Sequence, residues 1–511
     1  MKETSNNLVF KTYDQKQPML LPPSLEELIA PHHPVRVVSQ VIDQINIDIL
    51  LKQYKPGGTS VYHPRMLLKV MVYCYLTNIF SSRKMEAGLK ENIPLMWLSG
   101  MSKPDHNTLA RFRSERLKDS LRQIFGQIVG LLVEEGLVSI KQLYTDGTKI
   151  EANANKYSFV WGRAIKTSKQ RMIKQLDELW SYTQQVAEEE LKDQKPVDFS
   201  EIDSQKVKQT IDTIDQALEG KQVDKKVKQK LHYARKNWPD KLDDYERKEA
   251  TLGKRNSFSK TDPDATFMRM KEDHMLNGQL KPGYNLQIST SDQFIVNYSL
   301  HPNPTDTLTL KPHLQQYQDL YGNMPTCICA DAGYGSEENY GYLEEQHIDH
   351  YVKYNYFHKG QTKKWKEDPF KNDNLHYNKS NDTVTCPIGQ QMENIGDKER
   401  VTTSGFKQQY TRYQAKNCEG CPLKPSCHKA KGNRIVEINH KLRNYKKKAR
   451  EKLLSEEGKK HRSKRPADVE AVFGAIKHNK GFRRFNLRGL DKVAVETGLL
   501  AIAHNLAKKA A

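Results

Sequence analysis

The N-terminal 140 residues carry apolar positions with the period of α-helices. The stretch HPRMLLKVMVYCYLTNIF, residues 63–80, is apolar almost throughout, which is typical of a buried helix. Apolar residues then recur at helical spacing along residues 106–138, with Asn107 or Thr108 as the expected N-cap. We therefore predict a self-contained helical domain over residues 1–140.

Basic side chains crowd the start of that second helix, at Arg111, Arg113, Arg116 and Lys118. A helix-turn-helix would present such residues to DNA phosphates or bases. A basic face that is merely solvated is the alternative, and the pattern favours neither. We carry forward a DNA-binding role for this domain as a hypothesis.

Residues 165–255 have a different pattern. Segments such as TSKQRMIKQLDELWSYTQQVAEEELKDQ are rich in Lys, Glu and Gln and have only a thin apolar stripe. This composition is typical of long exposed helices. We predict a helical insertion that interrupts a second domain.

Strand-like patterns flank the insertion. LYT at 143–145 is a short apolar run, PGYNLQISTSDQFIVNYSLHPN reads as two strands with a turn at Ser291–Asp292, and TCICADAGYGSEENYGYLEEQHIDHYVKY reads as strand, loop, helix, strand. DTLTLKPHLQQYQDLYG between them is a helix with a glycine stop. The predicted order is β–(helical insertion)–β–β–α–β–α–β. The fold class is therefore α/β, a mixed sheet with flanking helices built from residues 141–164, 256–356 and 441–511.

Two of the apolar runs end in an aspartate that is followed by small residues. Asp146 follows Thr145 and precedes Gly147, and Asp331 follows TCICA. Asp and Gly are poor strand residues, so each pattern needs turn chemistry or a ligand. A hairpin turn is the simpler interpretation of Asp146 alone, because the strand pattern resumes after Gly147. As neighbours in one sheet, the two carboxylates would repel each other unless a cation such as Mg²⁺ lay between them.

A third carboxylate lies near the C-terminus. Pro466 suits the first turn of a helix, and Glu470 and Lys477 are seven positions apart, which places them on nearly the same face of an α-helix. Arg465 lies just before. Taken alone, this arrangement is an ordinary surface ion pair. Beside two strand-end aspartates it indicates the last ligand of a metal site whose substrate is a phosphate backbone.

The charge of the chain changes the picture further. The formal net charge is +20, and residues 441–511 hold 20 Lys and Arg against 7 Asp and Glu. Such a basic segment favours a polyanionic partner, most commonly nucleic acid, although solubility alone is the alternative. No apolar run approaches the roughly 18 residues of a membrane span. The segment MKETSNNLVFKTYDQKQ has no signal-peptide core, so we expect a cytoplasmic protein.

The seven cysteines fall into two groups. Cys74, Cys327 and Cys329 lie in apolar stretches and are predicted core residues. The other four lie in a polar, loop-rich segment, residues 357–440, at Cys386, Cys418, Cys421 and Cys427. Four thiolates complete the tetrahedral shell of a structural Zn²⁺ site, with His428 able to replace Cys427. Free surface thiols are the alternative. We predict a cysteine-rich, zinc-binding insertion.

In this order, the motifs resemble those of the DDE transposases of bacterial insertion sequences, whose catalytic domain has the retroviral-integrase-like, RNase H-like fold. The similarity runs nearly from end to end. PDHNTLARFR matches the family's N-terminal helical region, DGTKIEAN carries its first Asp, ADAGYGSEENYGYL its second, and VEAVFGAIKHNKGFRRFNLRGL its Glu. The cysteine set also resembles a cluster found in this branch of the family.

The resemblance implies a site. Asp146, Asp331 and Glu470 would be the triad that binds Mg²⁺ or Mn²⁺ for two-metal phosphoryl transfer, and Gly147 would leave room for the phosphate backbone. Arg465 and Lys477 correspond to the basic pair around the Glu, with six residues between Glu and Lys in both patterns. The aromatic residue that often precedes the Arg is replaced here around His461.

The resemblance also implies partners. These are the terminal inverted repeats of the insertion sequence and the target DNA, bound by a homodimer associated with the nucleoid. Trp161, in KYSFVW, is close enough to the first Asp to stack on a base flipped at the cut site, although a core Trp that anchors the helical insertion is the simpler interpretation.

A catalytically silent or domesticated transposase that only binds DNA is the alternative function. The intact acidic triad favours an active enzyme, since a pure binder gains nothing from three carboxylates close to DNA. Recombinases with a Tyr or Ser nucleophile are the rival chemistry, but among 24 tyrosines a lone candidate carries no weight. A zinc hydrolase is disfavoured because the chain has no HExxH spacing.

Overall fold

The computed structural model of the protein describes Gln15 and residues 23–54, 61–191, 198–270 and 279–511. The N-terminal segment MKETSNNLVFKTYDQKQ therefore lies outside the described residues, apart from Gln15. Across the described ranges, no helix combines the length and the apolar character needed to cross a bilayer.

The described N-terminal residues are helical, as predicted. The helices are α1 (Pro34–Gln44), α2 (Asp48–Leu51), α3 (Pro64–Leu76), α4 (Ser82–Glu91), α5 (Ile93–Leu98), α6 (His106–Arg111) and α7 (Leu121–Glu134). A π-helical turn, Phe112–Arg116, separates α6 from α7. The N-cap of α6 is Asp105 rather than Asn107 or Thr108, because the Asp105 carboxylate accepts a 2.8 Å hydrogen bond from the N–H of Thr108.

The middle of the chain holds a sheet and an insertion. The elements in chain order are β1 (Gln142–Glu151), β2 (Phe159–Trp161), α8 (Gly162–Val186), α9 (Ser204–Ala217), α10 (Lys225–Leu252), β3 (Ser257–Ser259), β4 (Thr266–Arg269), β5 (Leu280–Ser291), β6 (Phe294–His301), α11 (Leu310–Tyr321), β7 (Cys327–Ala330), α12 (Glu337–Glu345) and β8 (Asp349–Val352). Helices α8, α9 and α10 bury a hydrophobic core of their own, centred on residues such as Trp180 and Trp238. Strands β2 and β3 pair with each other and hold the two ends of this insertion together.

The central sheet is mixed. Its strands lie in the order β4-β5-β1-β7-β8. Strand β6 also pairs with β5, at residues 285–291, whereas β4 pairs with β5 at residues 280–283. Strand β1 is antiparallel to β5 and parallel to β7, which is parallel to β8. The β5–β6 hairpin turns through Asp292 and Gln293, both with positive φ, as a tight hairpin requires. The α/β class and the predicted element order agree with this sheet.

Strand β1 does not end at Asp146. Its ladder with β5 runs from Tyr144 to Glu151 without a break, and Asp146 lies opposite Ile288. Both the hairpin interpretation and the expectation of a strand end at this residue are therefore wrong. The hydrogen bonds and packing that β5 supplies outweigh the low strand propensity of Asp and Gly.

The cysteine-bearing segment folds into a small antiparallel sheet. Its elements are α13 (Lys363–Lys366), β9 (His376–Asn378), β10 (Thr383–Thr385), β11 (Gln391–Val401), β12 (Lys407–Ala415), α14 (Lys424–Cys427) and β13 (Ile435–Ile438). The strand order is β13-β12-β11-β10-β9. Leu375, Val384, Met392 and Tyr413 form the centre of its separate core.

The C-terminal residues return to the central sheet as helices. They are α15 (His440–Leu454), α16 (Glu456–Arg465), a π-helical turn (Pro466–Glu470), α17 (Ala471–Gly474), a second π-helical turn (Ala475–Asn479) and α18 (Leu490–Lys509). Helix α18 packs against α3, α7 and β6. One hydrophobic core therefore continues from the N-terminal helices through the sheet to α18.

Candidate active site

The register of the central sheet brings Asp146 and Asp331 together. The parallel ladder of β1 and β7 ends at the pair Thr145 and Ala330. Asp146 follows Thr145 within β1, and Asp331 follows Ala330 directly after the end of β7. The backbone of Asp331 is still extended, with φ −80° and ψ 175°. Residues in register on parallel strands project from the same face of a sheet, so the two carboxylates leave the sheet side by side.

Gly147 makes room for neighbouring side chains rather than for a phosphate. A side chain at position 147 would collide with the amide of Gln287 and the carboxylate of Asp306. The N–H of Gly147 donates a 2.8 Å hydrogen bond to Oδ1 of Asp146. The role expected for this glycine is therefore wrong, and the close approach it allows belongs to the protein itself.

Asp306 is a fourth acid at this edge of the sheet, and the sequence analysis missed it. Its Oδ1 accepts hydrogen bonds from Asn285 Nδ2 at 2.8 Å and Gln287 Nε2 at 2.9 Å. The next residue, Thr307, donates through its hydroxyl to the carbonyl of Gly333 at 3.0 Å, in the loop that follows Asp331. Asp306 and Thr307 thus hold that loop against the sheet. Two amide side chains within the apolar pattern of β5 were the signal available in the sequence.

Glu470 reaches the aspartates through a cation. Glu470 is the last residue of the π-helical turn Pro466–Glu470, and Arg465 lies directly before that turn. The guanidinium of Arg465 lies 2.9 Å from Glu470 Oε1, 3.3 Å from Asp146 Oδ2 and 3.9 Å from Asp331 Oδ1. Arg465 is 4 % exposed, so this cation is buried among Asp146, Asp331 and Glu470, which we call the acidic cluster.

The charges of the cluster compensate one another. Burial acts to raise the pKa of Asp331, but Arg465, the Ala332 N–H and Lys353 outweigh it and hold that pKa below its ordinary value. Burial acts to lower the pKa of Arg465, but Asp146, Asp331 and Glu470 raise it above the ordinary value. Lys353, which the sequence analysis did not single out, lies 3.5 Å from Asp331 Oδ1.

Asp468 fixes the helix that carries Glu470. It is 2 % exposed, and its Oδ1 accepts hydrogen bonds from the Thr290 hydroxyl at 2.6 Å and the Gln293 N–H at 3.0 Å. Thr290 lies near the end of β5, and Gln293 lies in the turn after it. The π-helical turn is therefore bound to the same sheet that holds Asp146.

The basic residues predicted to contact DNA lie in different environments. Lys477 is 7 % exposed and lies in the second π-helical turn, and Arg111 is exposed at the end of α6. Arg113 is 4 % exposed, and its guanidinium donates to the Tyr75 hydroxyl at 3.2 Å and the Phe80 carbonyl at 2.6 Å. A DNA contact does not fit the burial of Arg113, whose hydrogen bonds serve the protein core.

Trp161 is half-buried at the end of β2. Its ring centroid lies 6.0 Å from that of Phe267. It also lines a cavity of about 660 Å³, whose wall includes Thr307 and therefore adjoins the loop after Asp331. The structure thus gives Trp161 both a packing partner and an open side.

The four clustered cysteines lie together, as free thiols. Cys386, Cys418, Cys421 and Cys427 line one cavity of about 20 Å³ with His428 and Arg434. Arg434 donates to two of the sulfur atoms. Its Nη1 donates to Cys427 at 3.0 Å, and its backbone N–H donates to Cys418 at 3.3 Å. The remaining three cysteines are buried elsewhere, as predicted.

Neither cluster is already spaced for a metal ion. Within residues 23–54, 61–191, 198–270 and 279–511, no group of three or more His, Cys, Asp or Glu side chains has the spacing that would hold one. In the acidic cluster, the Arg465 guanidinium supplies the positive charge among the carboxylates. A metal ion there would require these side chains to rearrange.

Comparisons with known proteins match both ends of the chain. The family model of the transposase DDE domain matches residues 385–510, which include Arg465, Glu470 and Lys477. The model of the transposase domain (DUF772) matches residues 23–115, which form α1 to α6 and most of the π-helical turn that follows. Comparison with curated proteins and with solved structures gave no match.

The DDE domain implies nuclease or transposition chemistry on DNA that uses a divalent metal. The two matched regions flank the strands that carry Asp146 and Asp331, and both describe transposases. By these matches the chain belongs to the DDE transposases of insertion sequences.

Proposed function

We propose that this transposase binds the ends of its insertion sequence, cuts the DNA there and joins those ends to target DNA. Asp146, Asp331 and Glu470 hold the divalent metal for this reaction. The observation that carries the proposal is the single guanidinium of Arg465, which contacts all three carboxylates. Acids from three distant parts of the chain therefore converge on one point that suits a cation.

The donor set fits a hard divalent cation. All three side chains offer carboxylate oxygens, which Mg²⁺ and Mn²⁺ prefer to nitrogen or sulfur. Arg465 supplies the positive charge now, so we infer that it withdraws when the ion binds. A divalent cation held by these carboxylates would polarise the phosphoryl oxygens of DNA and lower the pKa of a bound water or 3′-hydroxyl.

The protein's own residues fix the positions around that point. The paired strands β1 and β7 hold Asp146 and Asp331 on a rigid sheet, and Asp468 ties the helix of Glu470 to it. Lys353 carries positive charge beside Asp331, and Arg465, once withdrawn from the three carboxylates, remains next to them as a second cation. These two cations stabilise the negative charge that develops on a phosphate during cleavage.

DNA binding is assigned to basic residues outside the triad. Lys477 positions the scissile phosphate, and the exposed Arg111 contacts the DNA backbone. Trp161 stacks on a base near the cut through its open side. Two copies of the chain assemble on the two ends of the element as a homodimer.

The sheet topology supports an RNase H-like catalytic core. Three antiparallel strands, β6, β5 and β1, are followed across the sheet by the parallel strands β7 and β8. Helices α11 and α12 precede β7 and β8 in the chain, as crossover helices do in such a sheet. We infer that residues 357–440 and 165–255 are insertions into this core.

A structural zinc site in the cysteine cavity is a second part of the proposal. Four thiols and one imidazole line a cavity of about 20 Å³, which is close to the volume that one water molecule or one ion needs. Donors from Arg434 to two sulfur atoms suit thiolates, because hydrogen bonds to metal-bound sulfur stabilise its negative charge. Four protein ligands would leave no open position, so the ion would serve folding.

The test is cleavage of a duplex that carries the inverted repeats flanking the gene. We expect divalent-metal-dependent cleavage by the wild type and background cleavage by Asp146→Asn, Asp331→Asn and Glu470→Gln, each with nearly unchanged DNA affinity. Asp212→Asn, which alters an exposed carboxylate paired with Arg235 on the insertion, is the matched control.

Each other outcome has a defined meaning. Full cleavage by any one of the three variants would remove that residue from the site. Sequence-specific binding by a wild type that never cleaves, in any divalent metal, would favour the catalytically silent alternative.

A further inference from the structure

A basic cleft with an aromatic wall lies between helix α15 and the chain that follows β8. We call it the α15 cleft. It encloses about 200 Å³ between helix α15 and the segment 354–374. Tyr354, Tyr356 and Trp365 form one wall. Neither the acidic cluster nor the cysteine cavity includes these residues.

One face of α15 supplies the charge of this cleft. Arg443, Lys446, Lys447 and Arg450 line it. Their spacing of three, four and seven places them on one side of the helix. Within the described residues, none of the four has a carboxylate within 4 Å, and Asp373 is the one acid in the lining.

The other side of the same helix is different. Lys448 pairs with Glu344 at 2.9 Å, and Lys452 pairs with Asp349. The paired lysines attach α15 to the central domain. The face without ion pairs keeps four cations close together, although Arg443 also donates to the carbonyl oxygens of Asp373 at 3.5 Å and Leu375 at 3.2 Å. The four cations repel one another unless a polyanion neutralises them.

The aromatic wall adds a feature that charge alone does not need. Tyr356 stacks on Trp365 with ring centroids 5.2 Å apart and planes 27° apart. Lys371 covers Trp365 at 4.8 Å from the ring centroid. Tyr356 is 60 % exposed and has φ 68°, a backbone conformation that a Tyr rarely adopts. The fold therefore presents a stacked ring pair at the surface of a basic cleft.

The cleft lies close to the acidic cluster along the chain. Lys353, which pairs with Asp331, precedes Tyr356 by three residues, and a chain of that length spans at most about 11 Å. The loop after Asp331 also packs closely here, because a side chain at Gly335 would collide with the Lys353 carbonyl. A DNA strand that left the cluster on this side would reach the α15 cleft within a few residues of Lys353.

We propose that the α15 cleft binds single-stranded DNA next to the cut, with phosphates along α15 and a base stacked on Tyr356. The proposal rests on the proposed function, which supplies a DNA strand at Asp331. A single strand is favoured over a duplex because only unpaired bases expose their faces to an aromatic ring. An acidic peptide would use the cations but would leave the ring pair without a role.

The test uses the full chain without metal, so that no cleavage occurs, and measures anisotropy of a labelled oligothymidine. The same oligonucleotide with abasic sites keeps the phosphates and removes the bases. We expect Tyr356→Ala to weaken binding of oligothymidine about tenfold and binding of the abasic strand hardly at all, because base stacking is lost. Tyr356→Phe should restore the affinity, and Tyr233→Ala, an exposed Tyr on the insertion, should match the wild type.

The charged face is tested by a matched pair of variants on one helix. Lys447→Ala should weaken binding of both strands and flatten the salt dependence by about one phosphate contact. Lys448→Ala, which removes the same charge from the paired side, should leave the salt dependence unchanged. Equal effects of these two variants, or equal loss of both ligands in Tyr356→Ala, would overturn the proposal.

Failure of this inference can be told apart from failure of the proposed function. A wild type that cleaves DNA but binds oligothymidine no better than Tyr356→Ala does would overturn the cleft alone. A wild type that shows the Tyr356 effect yet never cleaves would overturn the proposed function and leave the single-strand site in place.

Discussion

Arg465 Nη2 lies 2.9 Å from Glu470 Oε1, although five positions separate the two residues. On an α-helix, residues three, four or seven apart share a face, and residues five apart do not. The chain from Pro466 to Glu470 is π-helical, with i→i+5 hydrogen bonds that bring such positions over one another. The wider turn is therefore what places a cation within the acidic cluster.

Replacing Arg465 by Ala should destabilise the metal-free protein and increase its response to divalent cations. Removing one partner of a buried ion pair typically costs about 3–5 kcal/mol, and we expect the lower end because Asp331 is partly exposed. Mg²⁺ binding would then offset the repulsion among the carboxylates and stabilise the folded state. The measurement is Tm in EDTA and in Mg²⁺.

The control for Arg465→Ala is Arg235→Ala, which removes an exposed arginine from ion pairs on the insertion. Its Tm should respond to Mg²⁺ as the wild type does. If the Tm of Arg465→Ala gains no more from Mg²⁺ than the wild type gains, Arg465 does not occupy the position of the metal.

Protein stability should fall between about pH 6.5 and pH 4 because of a buried imidazole. Burial lowers the pKa of His301 to about 4, whereas an unfolded His titrates near 6.5. Between these values the unfolded chain binds more protons, so the stabilisation is complete above pH 6.5 and decreases as the pH falls toward 4. The contribution is on the order of 3 kcal/mol.

Urea unfolding at a series of pH values measures this effect. His301→Gln should show a shallower loss of stability than the wild type across that window. His376→Gln, at an exposed position on β9, is the control and should keep the wild-type slope. Identical slopes for His301→Gln and the wild type would assign the acid sensitivity to other groups, such as His313, whose pKa burial also lowers.

The sequence predicted the order of the main strands and helices along the chain, because local apolar patterns and turn residues determine it. It did not predict that Asp146 lies inside a continuous strand, because that depends on β5, a partner more than 130 positions away. The convergence of the triad could be expected only from the family resemblance. The π-helical turn at Pro466 leaves no clear mark in residue spacing, so an α-helical face for Glu470 and Lys477 was the natural expectation.

Burial of charged residues was equally hard to predict. Arg113 lies in a basic stretch that reads as a solvated or DNA-facing surface. The structure places it against Tyr75, whose hydroxyl also donates to the buried Glu496 at 3.2 Å. Glu496 belongs to α18, more than 400 positions after Tyr75, and only the packing of α18 on α3 brings the two together. Local sequence carries no record of such a pairing.

Protein purified without chelator should carry about one zinc per chain, because the cysteine cavity holds four thiols. Chelation should raise hydrogen exchange in residues 386–427 before it does so in the central sheet, since the ion contributes directly to local folding. Elemental analysis and exchange measured by mass spectrometry check both expectations.

The zinc site also has a matched pair of variants. Cys421→Ser should lower the zinc content, and Cys74→Ala, which removes a thiol buried in α3, should leave it unchanged. Zinc-free wild-type protein, or equal zinc content in both variants, would make the four cysteines ordinary thiols.

Trp161→Ala should slow excision of the element with little change in Tm. Trp161 is half-buried beside Phe267, and its open side lines the cavity of about 660 Å³ that adjoins the loop after Asp331. A base stacked on the indole contributes roughly 1–3 kcal/mol, and Trp161→Phe should retain part of it.

If Trp161 instead anchors the insertion, its removal should lower Tm as Trp238→Ala does. Trp238 is 2 % exposed in the core of the insertion, and a truncation there costs about 3–5 kcal/mol. The comparison of excision rate with Tm across these three variants decides between the two roles, because a stacking residue changes the rate alone and an anchoring residue changes both together.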